Sequence, residues 1–289
     1  QGGIHKVNRE IASFLRSLPG WSTKRLSAAR LQDIESLASD LHRCTWELPG
    51  AFEQIEFHVL GVGQKPRAFQ FAASDQTVIV SPFISNEAIG AVLGKSGTGL
   101  ALVSRAEELS LLSEETRSRF ERVDVMNDDA DTGSEEELSG GECRGLHAKA
   151  IVQRRGWWTS AFIGSANCTN AALLRGVNVE VVAELTGKAS KVGGPSDWVS
   201  ERGMGPLLQP FSPISVKDLL EQRSIEDALE RARQFLIRAN LTLQCTKADG
   251  GYQMKLMGAD VLEGLDAEVW AWPLTVPRER QIAVHTTSE

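Results

Sequence analysis

Between residues 52 and 188, short apolar runs alternate with helix-like segments, and this alternation limits the chain to few folds. "QIEFHVLGVG", "GLALVS", "RVDVM", "LHAKAIVQ", "TSAFIGSA" and "NVEVVAEL" carry the branched and apolar residues of strands. "TVIVSPFI" is a continuous apolar run of the fully buried kind, broken by Pro82. "SNEAIGAVLGKS" reads as a helix with Ser85 as N-cap, "AEELSLLSEETRSRF" as another, and "PRAFQFAAS" and "CTNAALL" as shorter ones. "RRGWW" joins two strands as a hairpin tip. Strands separated by helices predict an α/β fold, a mixed sheet flanked by helices.

The flanks differ from this core. Residues 1–51 form an N-terminal helical segment: Ile11, Phe14, Leu15 and Leu18 share one face, as do Leu31, Ile34, Leu37 and Leu41 after a Ser27 N-cap. The core domain spans 52–188 and includes an acidic loop at 127–142, "NDDADTGSEEELSGGE". "TGKASKVGGPSD", residues 186–197, reads as a linker or lid loop, and residues 189–212 as the linker. Residues 213–289 read as a small α+β attachment: one or two helices in "SVKDLLEQRSIEDALERARQFLIRAN", a hairpin turning at Asp249, Gly250 and Gly251, and a strand in "LDAEVWAWPLTV". The chain opens on Gln rather than Met, as a fragment or processed product would.

Several function classes lose support at this level. No apolar stretch is long enough for a membrane span, and "QGGIHKVNRE" is not a secretory signal. Cys44, Cys143, Cys168 and Cys245 make no CxxC pair and no zinc pattern, so reduced thiols in a cytoplasmic protein are expected. "GAVLGKSGTG" imitates a phosphate-binding loop, but the required first glycine falls on Ile89. No clustered Asp/His set suggests a metal, and no cofactor is expected. The net charge of −7 counts mildly against a nucleic-acid partner, but the acidic loop supplies much of it.

The chemistry-bearing residues lie in "GLHAKAIVQRRGWWTSAFIGSANCTNAALLRGVNVEVVAEL". Strand alternation puts His147 and Lys149 on one face, and Ser165 and Asn167 likewise share one. A hairpin brings the four together. Polar groups gathered at the edge of a buried sheet need partners. Lys149 supplies a positive charge, and Ser165 and Asn167 supply neutral donors, a set that suits the oxygens of a phosphate. His147 is then the nucleophile or acid–base group. A carboxylate would orient its ring; Glu180 is the candidate and Glu184 the fallback.

H-x-K, then G-S-x-N about sixteen residues further on, then a strand with N-V-E, resembles the phospholipase D superfamily, over roughly residues 52–188. "VIVSPFISNEAI" resembles the strand–helix segment that precedes the motif in that family. The aspartate of the fuller family motif falls on Arg154, a departure that weakens the likeness to lipid-hydrolysing members and is tolerable for the nuclease and restriction-endonuclease-like branch. The resemblance implies a metal-independent phosphodiesterase, a DNA nuclease (RNA being the alternative substrate) working through a phosphohistidine. It implies catalytic roles for His147, Lys149, Ser165, Asn167 and Glu180. The family needs two such motifs, and of the five histidines only His147 sits in an H-x-K, so a homodimer completing the site is implied. Restriction or phage defence, with a helicase or other defence partner, follows from the same resemblance.

Arg154, Arg155 and Trp157 are the substrate-binding candidates: the arginines contact phosphates or are simply solvated, and Trp157 with Trp158 stacks on bases or packs on a neighbouring loop or partner. Cys168 reads as a small buried residue. The competing readings are a phospholipase or phosphatidyltransferase, and a non-catalytic dimerisation or nucleic-acid-binding module.

Overall fold

In a computed structural model the described residues are 5–62, 68–94, 97–126, 146–239, 241–249, 251–258, 268–275 and 277–284. The acidic loop at 127–142 and Cys143 lie outside them. The chain divides into two units, one ending at Ile214 and one beginning at Ser215.

The first unit opens with α1 (Arg9–Ser17) and α2 (Ala28–Arg43). Ser27 caps α2 by accepting the Arg30 amide. Buried Asn8 donates to the carbonyls of Leu41 and Cys44 and accepts from the Trp46 indole, so one amide ties the two helices to the chain that follows. The inward face of α2 is narrower than its leucines suggest. Ala38 is buried, while Leu31 and Leu37 stay exposed.

The sheet then builds from β1 (Gln54–Leu60), β2 (Gln76–Val80), α3 (Asn86–Leu93), β3 (Gly99–Ser104), α4 (Ala106–Leu111), α5 (Glu114–Arg117) and β4 (Phe120–Met126). It continues with β5 (Ala150–Arg155), β6 (Trp158–Gly164), β7 (Glu180–Lys188), α6 (Ala189–Val192), α7 (Pro195–Trp198) and β8 (Leu208–Pro210). The strand order is β1-β7-β6-β5-β2-β3-β4-β8. The pairs β2–β3 and β3–β4 are parallel and the others antiparallel. The fold is therefore α/β with a mixed eight-stranded sheet.

Alternation along the strands feeds two cores, one on each face. Ile79, Leu102, Ile151, Phe162 and Val182 pack with Ala88, Ile89 and Val92 of α3. Val78, Val80, Val103, Val152, Ala161 and Leu185 fill the other face, where Trp198 of α7 and Met204 pack against them. β2 is buried on both sides, which its continuous apolar run requires.

Several local expectations need correction. The described part of "PRAFQFAAS", residues 68–74, is irregular rather than helical. Phe69 and Phe71 both pack edge-to-face against Phe162, and the Phe69 amide donates to the Leu173 carbonyl, so tertiary packing overrides the helical reading. "AEELSLLSEETRSRF" is two helices, because Ser113 caps a new turn by accepting the Thr116 amide. "TGKASKVGGPSD" is not one loop: it holds the end of β7, all of α6 and the start of α7, and β8 farther on pairs with β4 in the main sheet. β5 begins only at Ala150; the Gly164 amide still reaches the Lys149 carbonyl at 3.5 Å, but the ladder fades there.

The second unit holds α8 (Val216–Arg238), a single helix, and an antiparallel pair, β9 (Thr242–Ala248) with β10 (Gly251–Met257). Two-residue strands β11 (Trp270–Ala271) and β12 (Ile282–Ala283) pair near its end. No helix among the described residues is long and apolar enough to cross a membrane.

Candidate functional site

β5, β6 and β7 are consecutive in the chain and adjacent in the sheet. Antiparallel pairing therefore puts the start of β5, the end of β6 and the start of β7 at one end of the sheet. His147 and Lys149 lead into β5, Ser165 and Asn167 follow β6, and Glu180 opens β7. All five expected catalytic residues thus meet at that end.

Two features fix the turn after β6. A Cβ on Gly164 would sit 2.1 Å from the Val181 carbonyl oxygen, so only glycine allows β6 to approach β7 this closely. Beyond it, buried Cys168 is stitched to the segment after β2: its amide donates to Ser81 Oγ at 2.9 Å and its carbonyl accepts the Ser85 amide at 3.0 Å. Burial pushes the Cys168 thiol up to about 12, which leaves it a packing residue. Asn167 is held directly beside this anchor. Its Oδ1 is buried and finds no hydrogen-bond partner among the described residues.

The carboxylate of Glu180 is buried. Ser165 Oγ donates to it at 2.5 Å and accepts the Val181 amide at 3.0 Å. The single hydroxyl proton of Ser165 is thereby committed to Glu180. Lys149 Nζ donates to the His147 carbonyl at 2.9 Å. Burial lowers the Lys149 ammonium from its ordinary value; the nearby charge of Glu180 raises it and that of Arg105 lowers it again. The His147 side chain is exposed, and among the described residues no hydrogen bond joins it to Glu180. His147, Lys149, Ile163 and Ser165 line a shallow open cleft of about 530 Å³.

Arg105 is a residue the sequence did not single out. Its guanidinium donates to the Leu146 carbonyl at 3.3 Å and lies over the Phe83 ring, which brings a second cation to the entry of the site. It stands just past β3, far from the motif in sequence, and no spacing rule points to it.

The structure separates the other expected residues from this end. Arg154 and Arg155 close β5, and Trp157 forms the hairpin tip. Six residues of extended chain put Arg155 about 20 Å from Lys149. Trp157 is 84% exposed, and the Arg154 guanidinium donates to the Gly156 carbonyl. These residues form a separate surface at the opposite end of the strands. Glu184, the fallback for orienting His147, is also elsewhere: it bonds His58 at 3.0 Å.

That pair exposes a cluster missed in the sequence. Glu56, His58 and Glu184 bring one ligand atom each within 4.8 Å of one another. The sequence showed no such set because β1 meets β7 only after a long excursion of the chain. Burial lowers the His58 imidazole, but the Glu184 hydrogen bond and the charges of Glu184, Glu56 and Glu10 hold it above its ordinary value.

No protein-family model matches the chain, and no curated protein does. Among solved structures it is similar to NucT from Helicobacter pylori, at 12% identity and a TM-score of 0.26, over 46% of this chain and 86% of that one.

Proposed function

We propose that this protein is a metal-independent phosphodiesterase that cleaves DNA. Support comes from one observation above all: the H-x-K and G-S-x-N residues and a buried glutamate gather at one open end of three adjacent strands. The cleft at that end is lined by the exposed His147 together with Lys149 and Ser165, and Ser165 bonds the buried Glu180 carboxylate behind it.

In this reading a ring nitrogen of His147 attacks phosphorus, and the bond to the leaving oxygen breaks. A second copy's His147 protonates that oxygen. Water then attacks the phosphohistidine, gives its proton to that second histidine and frees His147. Lys149, with Arg105 behind it, offsets the charge on the non-bridging oxygens. Asn167 presents its amide Nδ2 to the phosphate. Ser165 holds Glu180, and Glu180 keeps Lys149 charged. The second histidine requires a homodimer. A restriction or phage-defence setting, with a helicase-type partner, belongs to the same proposal.

The test is nicking of supercoiled plasmid and cutting of single-stranded DNA in excess EDTA, comparing the natural chain with His147→Ala. Cleavage that survives EDTA and disappears with His147 supports the proposal. Cleavage abolished by EDTA overturns the mechanism. Turnover of phosphatidylcholine vesicles without DNA cleavage would favour the phospholipase reading, and DNA binding unchanged by His147→Ala without any cleavage would favour a non-catalytic module.

A further inference from the structure

The cluster on β1 and β7 lies apart from the His147 cleft. The two strands pair antiparallel with Glu56 opposite Glu184 and His58 opposite Val182. Alternation puts Glu56, His58 and Glu184 on one face of the sheet. Two carboxylates directly across from each other on neighbouring strands repel, so a cation held between them would be stabilised. Three carboxylates (Glu10, Glu56 and Glu184) stand near His58, and Arg155 is the guanidinium facing Glu184. The local charge therefore stays negative.

The spacing suits a metal ion. His58 Nε2 and Glu184 Oε2 are 3.0 Å apart. Two ligands at about 2.1 Å from an ion and at the tetrahedral angle are about 3.4 Å apart, so that pair reaches adjacent coordination positions with a shift of about 0.4 Å. Glu56 supplies the third atom within 4.8 Å. An imidazole nitrogen with two carboxylates favours a first-row transition cation over magnesium, which prefers all-oxygen shells. Two negative ligands and a neutral imidazole balance a divalent charge.

A cleft of about 610 Å³ opens beside His58 and Glu184, lined also by Glu10, Gln153, Arg155 and Ser160. Three protein ligands leave coordination positions for water on that side. We propose that Glu56, His58 and Glu184 form a binding site for a divalent transition cation of the zinc type, which clamps β1 to β7 and presents its open positions to this cleft.

The test is calorimetric titration of Zn²⁺ into the full chain after EDTA stripping and buffer exchange. One ion per chain is expected. Glu56→Gln and His58→Gln should each weaken binding at least tenfold, and tenfold excess Mg²⁺ should not displace the zinc. Glu56 is exposed, so its variant keeps the fold even if the His58 variant does not. His147→Ala should bind zinc as the natural chain does, which separates this site from the cleavage chemistry. Absence of binding in the natural chain overturns the proposal. So does binding unchanged in Glu56→Gln, since the ion would then be held elsewhere, for example near His5 and Cys44.

Discussion

Ser165 Oγ donates to the buried Glu180 carboxylate at 2.5 Å while accepting the amide of Val181 next to it. The serine of G-S-x-N therefore serves the glutamate. Replacing Ser165 by alanine leaves a buried carboxylate and a backbone amide without their partner. The expected loss is about 1–3 kcal/mol, read as a lower denaturant midpoint with an unchanged slope. A variant as stable as the natural chain would show that the hydroxyl does not hold Glu180.

Lys149 is the charged group whose protonation the chemistry needs. Burial lowers its ammonium below the ordinary lysine value. The charge is present below the lowered value and lost as pH rises through it. Cleavage should therefore decline on the alkaline side earlier than an ordinary lysine would dictate. Lys149→Arg should move that decline to higher pH, and Lys149→Met should cost about 10²–10³ in rate. A pH–rate profile of kcat for the three chains checks this; an alkaline limb that does not move with Arg assigns it to another group.

Gly164 sits where a Cβ would meet the Val181 carbonyl oxygen and the Val182 Cα. Both are backbone atoms of β7 and cannot swing aside. Gly164→Ala should lower stability by about 1–3 kcal/mol and depress cleavage, because the displaced strand carries Glu180. Thermal melting together with the plasmid assay reads both effects.

Cys168 is buried with its thiol pushed up to about 12. Iodoacetamide at neutral pH should label exposed Cys245 in the native chain and reach Cys168 only after unfolding. Mass spectrometry of peptides from native and denatured samples decides it, and native labelling of Cys168 would show that the segment behind Asn167 opens.

Much of this fold is legible in the sequence because its signals are local. The branched run of β2, the Ser27 and Ser85 caps and the glycine turn at 156 each declare themselves within a few residues. "PRAFQFAAS" misleads because its two aromatics answer to Phe162, a residue of a distant strand. The candidate site divides the same way. The order of His147, Lys149, Ser165, Asn167 and Glu180 is visible along the chain, but the bond from Ser165 to Glu180 depends on the register of β6 against β7. Arg105 and the Glu56–His58–Glu184 set depend on which strands become neighbours, and no single stretch of sequence records that.

The candidate site draws its five central residues from β5, β6 and β7 and their immediate flanks, which follow one another in the chain and pair in the same order. Such a meander closes short loops, each at small entropic cost, whereas the pairing of Leu60 with Glu180 must wait for the whole intervening chain. The contact order of the site is thus lower than that of the sheet around it. The residues that would do chemistry belong to the stretch able to find its partners soonest, and β1, which brings Glu56 and His58, is added across the longest loop.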